Sequence, residues 1–300
     1  MKASRHQQTL CNRRAWLRGG ALASAAFTCN HLSLALLAQQ PHTSGTTPIP
    51  LTDAQEIALG RRFATVFEAE SPILTNPLID QHLNQLVRDL ALNCRRPTLP
   101  YRVKVINMPT LNAASLPGGA IYIHRGLFEI LATEDELVAV IAHEIGHIVA
   151  RHAIHQLTFT LQAQALLKPL LDNLARQNGA FESILQQSGG AVALIARLAF
   201  SRHDELEADR LGFHETLLAG WDPRGFLKMF TALEEKESAN ASTHQSNFPT
   251  HPPTAERAAA IEHELTSVTI PEDARTDSLE FRACKQALAL LSAHPMSPPS

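Results

Sequence analysis

The chain has 300 residues, of which 45% are hydrophobic and 18% are charged, a composition typical of a globular protein and not of a disordered or fibrous one. Aromatic residues are few, at 5%, while alanine and leucine dominate, so helix is favoured over sheet. The first 38 residues carry basic side chains but no Asp or Glu, which leaves the rest of the chain acidic. Without a Lys/Arg cluster in that acidic remainder, nucleic acid is excluded as an expected partner.

Residues 1–38 resemble a twin-arginine signal peptide. Arg13 and Arg14 precede two apolar residues and a further basic one, and an uncharged, weakly apolar stretch follows. This pattern predicts export to the periplasm or beyond, with an uncleaved N-terminal anchor as the alternative and lipidation at Cys29 as a weaker one. Any membrane association is expected through this segment alone. Outside it, Cys94 and Cys284 could form one disulfide in an exported protein.

A proline-containing linker is predicted at 39–51. Helix-capping residues, apolar stripes at helical spacing and alternating apolar and polar residues predict the helices and strands that follow it. Thr52-Asp53-Ala54-Gln55 and Thr133-Glu134-Asp135-Glu136 each resemble a capping box, and Asn76-Pro77 places proline at the first position of a second helix. Residues 101–106 alternate as a strand does, and residues 120–124 form a β-rich run after a glycine turn. Downstream helices are predicted at 133–157, 158–200, 204–218, from Pro223, at 255–265 and at 279–291, with a polar loop at 237–253. The fold class is therefore mainly α with a small β-sheet.

The motif that carries chemistry is His143-Glu144-Ile145-Gly146-His147, an H-E-x-x-H pattern. On a helix, residues four apart lie on nearly the same face, so both imidazoles can reach one metal ion. Zinc suits imidazole nitrogen, and Glu144 is placed to accept a proton from a water molecule at the ion. The pattern predicts a zinc-dependent metalloendopeptidase with Zn²⁺ held by His143 and His147, and Glu144 as the general base. A pair of buried histidines with a glutamate partner is the alternative interpretation.

A third ligand must come from elsewhere in the chain, and Glu205-Leu206-Glu207-Ala208-Asp209 offers one on a predicted helix. Glu205 and Asp209 are four residues apart and share a face. Glu205 could bind zinc, while Asp209 could accept the second N–H of a zinc-binding histidine. These acidic residues would also suit a solvated helix N-terminus, but the unmatched H-E-x-x-H motif favours the ligand interpretation.

Four segments in this order resemble the gluzincin metallopeptidases of the CaaX prenyl protease and HtpX family, with the periplasmic BepA-like branch most similar. They are the run from Leu111 to Ile123, the H-E-x-x-H helix through His152, the run from Phe200 to Gly212, and Thr250-His251-Pro252 followed by Arg257. The resemblance covers about residues 52–265, which are identified as a zincin-like metallopeptidase domain. Residues 266–300 are then a C-terminal helix and flexible tail.

The resemblance implies three further features of the site. A strand at Ala120, Ile121, Tyr122 and Ile123 would be the edge on which an extended substrate docks. Residues 158–200 would be a variable helical insertion beside the cleft. His251 would be a latch, able to occupy a fourth zinc position. The remaining nearby histidines are interpreted as outer partners or surface residues; they are His152, His155, His203 and His214.

The resemblance also implies substrates and partners. Expected substrates are unfolded or misfolded exported polypeptides, including outer-membrane proteins, in periplasmic quality control. The outer-membrane assembly machinery is a further partner that the resemblance implies. The chain departs from the BepA-like branch here, because only about 35 residues follow Leu265, too few for the C-terminal helical repeats of that branch. The alternative function is a chaperone or adaptor that binds unfolded strands and keeps its zinc site latched.

Overall fold

The structure is a computed structural model that describes residues 51–163, 200–239, 251–252 and 254–293. The described part contains nine helices: α1 (Asp53–Glu70), α2 (Pro77–Ala91), α3 (Arg125–Ile130), α4 (Glu134–Val149), α5 (His152–Ala163), α6 (Arg202–Leu218), α7 (Gly225–Ala239), α8 (Ala255–Ser267) and α9 (Leu279–Ala293). Its four strands are β1 (Ile73–Leu74), β2 (Arg102–Ile106), β3 (Ala113–Leu116) and β4 (Ala120–His124). The predicted fold class, mainly α with a small sheet, is confirmed. The signal segment, most of the linker, most of the helical insertion and most of the polar loop lie outside the described residues.

Local caps set where the helices begin. The Thr52 hydroxyl accepts the Gln55 N–H in a complete capping box, and Asn76 caps α2 with Pro77 at its first position. Ser201 and Asp204 form a second complete capping box at α6, which the sequence interpretation did not assign. Thr133 is different, because its hydroxyl donates to the carboxylates of Asp135 and Glu136 and accepts no helix N–H. The capping box predicted there is wrong.

The strands form one mixed sheet in the order β1-β2-β4-β3. Strand β4 pairs in parallel with β2 and antiparallel with β3, so Ala120 is opposite both Arg102 and Leu116. The backbone groups of Ala120, Ile121, Tyr122 and Ile123 are therefore engaged on both sides. The prediction that these residues form a substrate edge strand is wrong, because a strand paired on both sides offers no free ladder to a peptide. Strand β3 terminates the sheet instead.

The helix predicted from 133 to about 157 is broken in two. Helix α4 ends at Val149 with Ala150 as its C-cap, and Arg151 adopts φ 60° before α5 starts at His152. Such a left-handed conformation is uncommon for a residue with a side chain, and here Arg151 is held by hydrogen bonds to the Leu51 carbonyl and to Asp53. The break bends the chain by 53° between the two helices. His152, the first residue of α5, lies 2.9 Å from His147 near the end of α4.

Helix α4 forms the centre of the core, with every residue from Glu134 to Val149 buried. Helices α6 and α7 and strand β3 pack around it, and a second apolar cluster lies between α1 and the sheet. Within the described residues no single helix is long and apolar enough to span a bilayer. One pair meets that test jointly, Glu134–Val149 with His152–Phe159, but it is bent by 53°.

Helix α9 belongs to the same core, although it follows residue 265. Phe281, Cys284 and Leu288 are buried, and the Phe281 ring stacks on Phe128 with centroids 6.0 Å apart. The Lys285 ammonium donates to the carbonyls of residues 128, 129 and 131 at the end of α3. Cys284 lies near the start of α2 and Cys94 follows its end, and both are free thiols. The length of the helix keeps the two cysteines from forming a disulfide.

Candidate metal centre

Helix α4 presents His143 and His147 one turn apart. Their Nε2 atoms lie 3.0 Å from each other, and both side chains are buried. Two imidazole nitrogens this close need a shared proton or a common cation between them. The geometry follows from the four-residue spacing of the motif on a regular helix.

Helix α6 crosses α4 closely enough to bring Glu205 to the two imidazoles. A glycine of each helix lies at the crossing: a Cβ on Gly146 would lie 2.5 Å from the Ala208 carbonyl oxygen, and one on Gly212 would lie 2.7 Å from the Ala142 carbonyl carbon. Only glycine permits this approach of the two backbones. Glu205 Oε1 consequently lies 3.5 Å from His147 Nε2.

His251 completes the group from the segment before α8. Its Nδ1 lies 2.9 Å from Glu205 Oε1 and 3.2 Å from His143 Nε2, and the side chain is buried. One donor atom from each of four residues thus lies within 4.8 Å of the others; the residues are His143, His147, Glu205 and His251. Three imidazole nitrogens and one carboxylate oxygen are the donors that zinc prefers, so this set fits a zinc ion.

Each motif histidine has an outer partner on its other ring nitrogen. His143 Nδ1 donates to Asp209 Oδ1 at 2.8 Å, the contact predicted from the spacing of Glu205 and Asp209. His147 Nδ1 lies 2.9 Å from His152 Nδ1, and His152 Nε2 faces Glu207 at 3.4 Å. With Nδ1 protonated on both motif histidines, both Nε2 lone pairs point to the centre of the group.

Arg257 is the residue of this site to which the sequence interpretation assigned no role. Its Nε and Nη2 donate to the two oxygens of Asp209 at 2.6 and 2.7 Å, and its Nη1 lies 2.9 Å from Glu205 Oε2. Nη1 also donates to the carbonyls of His251 and Pro252, at 3.2 and 3.1 Å. The signal available in the sequence was the Thr-His-Pro run followed by an arginine at the start of a helix.

Glu144 is buried beside the donor group without belonging to it. Neither of its carboxylate oxygens has a hydrogen-bond partner among the described residues, and Oε1 lies 3.5 Å from His251 Nε2. An unpartnered buried carboxylate is costly unless a cation or a proton donor lies close to it. Its position next to a cluster of metal-ligand donors is therefore consistent with a role in proton transfer.

Burial and neighbouring charges set the ionisation of the group. Burial lowers the pKa of His147 well below its usual value, against the opposing effect of Glu205. Burial alone would raise the pKa of Glu205, but His251 and His147 hold it well below its usual value. Arg257 does the same for Asp209, whose pKa is lowered against the effect of burial. A neutral imidazole and an ionised carboxylate are the forms that bind a metal, and the shifts at His147 and Glu205 favour them. Burial alone would lower the pKa of His251, but the carboxylates of Glu205 and Glu144 outweigh it and raise this pKa instead.

The structure brings together six of the predicted site residues and separates others. His143, Glu144, His147, Glu205, Asp209 and His251 form one buried group, whereas Ala120–Ile123 lie inside the sheet. Of the remaining histidines, His152 contacts the group, while His155 and His203 are exposed and His214 pairs with Glu264.

Comparison with known proteins finds matches to a peptidase family and to named proteases. The sequence profile of peptidase family M48 matches residues 77–265, more than half of the chain. The beta-barrel assembly-enhancing protease of Yersinia pestis is 28% identical over 207 residues, 66% of this chain and 41% of that protein. Its namesake from Escherichia coli K12 is 30% identical over 62% of this chain and 38% of that protein. The mitochondrial metalloendopeptidase OMA1 of Arabidopsis thaliana is 35% identical over 42% of this chain and 24% of that protein. The chain spans about two fifths of the length of the first two relatives.

Proposed function

The chain belongs to peptidase family M48, and on that premise we propose that it is a zinc-dependent metalloendopeptidase. His143, His147 and Glu205 would hold the ion, and Glu144 would act as general base. The observation that carries the proposal is the convergence of these buried donors, with the carboxylate of Glu144 beside them. Three protein ligands leave a position for water or substrate, as catalytic zinc sites require.

The chain's own residues divide the work of peptide hydrolysis. Bound zinc would supply Lewis acidity, polarising the scissile carbonyl and making water more acidic. Glu144 accepts the proton of the attacking water and passes it to the leaving amine, which is why it must keep its oxygens free of other partners. Asp209 and His152 hold the rings of His143 and His147 in the tautomers that point Nε2 to the ion.

We place the substrate along β3, because β4 is enclosed within the sheet. Ser115 and Leu116, at the end of β3, line the same cavity as His147 and Ile148. A peptide added to the outer side of β3 by β-augmentation would run past the ion. Recognition through backbone groups suits unfolded chains of varied sequence, since it makes few demands on side chains.

The physiological setting is proposed from the relatives and the N-terminal segment. Two relatives are named beta-barrel assembly-enhancing proteases. We infer a role in quality control of exported, misfolded or outer-membrane polypeptides, in the periplasm, with residues 1–38 as the signal or as an anchor. Association with the outer-membrane assembly machinery is part of the same proposal.

His251 supports a second candidate. It is buried, and it supplies a fourth donor next to Glu205 and Glu144. A ring held there would occupy the position needed by water, so the resting enzyme would be latched. If the latch were permanent, the protein would be a chaperone or adaptor that binds unfolded strands on a structural zinc site.

Digestion of an unfolded substrate separates the two candidates. The protein purified without residues 1–38 is incubated with casein or an unfolded porin, then with a zinc chelator, then with zinc added back. A protease loses cleavage with the chelator and regains it with zinc, whereas a permanently latched chaperone binds the substrate but cleaves it under none of the three conditions.

The matched control for this assay is Glu144→Gln, which keeps the size of the side chain and cannot accept a proton. We expect it to retain zinc and to lose activity by about 10²–10⁴-fold, the usual cost of losing a general base. Cleavage at the wild-type rate by this variant would contradict the mechanism.

A further inference from the structure

We propose that Arg257 is a positioning residue that holds His251 at the metal centre and couples its placement to the Asp209–His143 pair. The inference rests on the proposed function, because it concerns how access to that metal site is controlled. The latch hypothesis concerns the His251 ring that enters the site, whereas this proposal concerns the side chain that holds the ring. Arg257 would determine whether that ring stays there.

The position of Arg257 is set by the start of α8. Thr254 caps this helix and its hydroxyl accepts the Arg257 N–H at 3.2 Å. The guanidinium then extends back under the segment that precedes the helix. It is buried, only 3% exposed, and lies 4.9 Å from the centre of the Phe230 ring.

One side of the guanidinium is hydrogen-bonded to Asp209, the outer partner of His143. Nε and Nη2 form a fork on the two oxygens of Asp209, the carboxylate that receives the Nδ1 proton of His143. Paired hydrogen bonds of this kind hold a guanidinium in one plane and one rotamer. The orientation of Arg257 is therefore defined by α6.

The third nitrogen, Nη1, holds the chain that carries His251. It donates to the carbonyls of His251 and Pro252, two consecutive residues. With both carbonyls held, the His251 ring is positioned with Nδ1 2.9 Å from Glu205 Oε1 and Nε2 3.5 Å from Glu144 Oε1. Release of the carbonyls would free the backbone that keeps the ring in the site.

A lysine cannot replace this arrangement. Its single ammonium retains the charge, but it lacks the planar fork that contacts Asp209 and two carbonyls simultaneously. Arg257→Lys therefore preserves the charge balance among Glu205, Asp209 and Glu144 while removing the geometric coupling. This separates a positioning role from simple neutralisation of buried carboxylates.

The test measures zinc release from the full-length, zinc-loaded protein into a chromogenic chelator. The variants are Arg257→Lys, His251→Ala and the double variant, with Arg282→Lys as the matched control, because Arg282 pairs with Asp277 on the exposed side of α9. Changes around metal ligands typically weaken metal binding by about 10–100-fold. We expect zinc release to accelerate about 10-fold in Arg257→Lys and comparably in His251→Ala, with no further acceleration in the double variant and none in Arg282→Lys.

Two results would overturn the inference. Release at the wild-type rate from Arg257→Lys would show that the fork does not hold His251. Equal acceleration by Arg257→Lys in the presence and in the absence of His251 would show a general structural role.

If Arg257→Lys fails to fold, Thr254→Ala serves instead, because it loosens the cap and leaves the guanidinium intact. A smaller acceleration that disappears in the His251→Ala background is then expected, and its persistence there would refute the coupling.

The same variants give a second measurement, the basal rate on unfolded casein. Arg257→Lys should shift this rate in the same direction as His251→Ala. Failure of the proposed function would appear separately, as a zinc-loaded wild-type protein that cleaves nothing while its zinc-release rates still report on Arg257.

Discussion

Glu205 and Glu207 differ by two positions on one helix and have different surroundings. Glu205 lies within reach of His147 and His251, whereas Glu207 faces His152 at the rim of the site. We expect Glu205→Ala to lose zinc, because it removes one of the converging donors, and Glu207→Ala to keep it. Metal analysis of the two purified variants tests the assignment; equal zinc content in both would contradict it.

His251 leads to the second prediction at the residue scale. If its ring fills the fourth position, His251→Ala should raise the basal rate of cleavage of an unfolded substrate, because water gains access to the ion. Self-cleavage should increase with it. The measurement compares initial rates of wild type and variant at equal zinc content.

A decrease of the basal cleavage rate in His251→Ala would also identify a role for this histidine. His251 Nε2 lies 3.5 Å from Oε1 of Glu144, the proposed general base, which is close enough for a direct part in the reaction. A lower rate in His251→Ala would therefore replace the latch by a catalytic role for this histidine. An unchanged rate would exclude both.

At the scale of elements, the site depends on how closely α4 and α6 cross. A Cβ at Gly212 would meet the backbone of Ala142 and the N–H nitrogen of His143 within 2.9 Å. These are backbone atoms, so the helices must move apart. We expect Gly212→Ala to cost about 1–3 kcal/mol of stability, as overpacking does, and to weaken zinc binding by separating Glu205 from the histidines.

The control for that prediction is Leu218→Ala, because Leu218 lies on the same helix but is 67% exposed. Thermal unfolding and a zinc titration of both variants provide the comparison. Unchanged zinc affinity in a stably folded Gly212→Ala protein would show that the crossing tolerates the shift.

For the whole molecule, α9 closes the core that α2 and α3 leave open. Phe281 is 1% exposed and packs on Phe128. We expect Phe281→Ala to lower the free energy of unfolding by about 3–5 kcal/mol, the usual cost of truncating a buried phenylalanine. Leu279→Ala, at the exposed start of the same helix, should change it by less than about 0.5 kcal/mol.

Chemical denaturation of the two variants measures this difference. A small effect of Phe281→Ala would mean that the metallopeptidase domain is complete by residue 265. The burial of Cys284 and Leu288 and the Lys285 contacts with the end of α3 favour the larger unit.

Local signals in the sequence were sufficient to predict most of the helices and the site residues that lie one turn apart on the same helix. Caps at Thr52 and Asn76 placed two helices correctly, because a cap depends only on residues within one turn. The H-E-x-x-H spacing placed His143 and His147 on one face, since helix periodicity alone determines that. The spacing of Glu205 and Asp209 likewise identified two residues that the structure brings to the same group.

Contacts between distant segments were decided only by the tertiary structure. The break at Arg151 depends on hydrogen bonds to Leu51 and Asp53, about 100 positions away, so no local pattern marked it. The interior position of β4 depends on a third strand, β3, which the apolar pattern did not reveal. Arg257 and His152 acquired their roles for the same reason. The partners of a side chain depend on which helices cross, and burial summed over the whole core stabilises that crossing. The sequence by itself determined the types of the ligand residues, their spacing along each helix and the family to which the chain belongs.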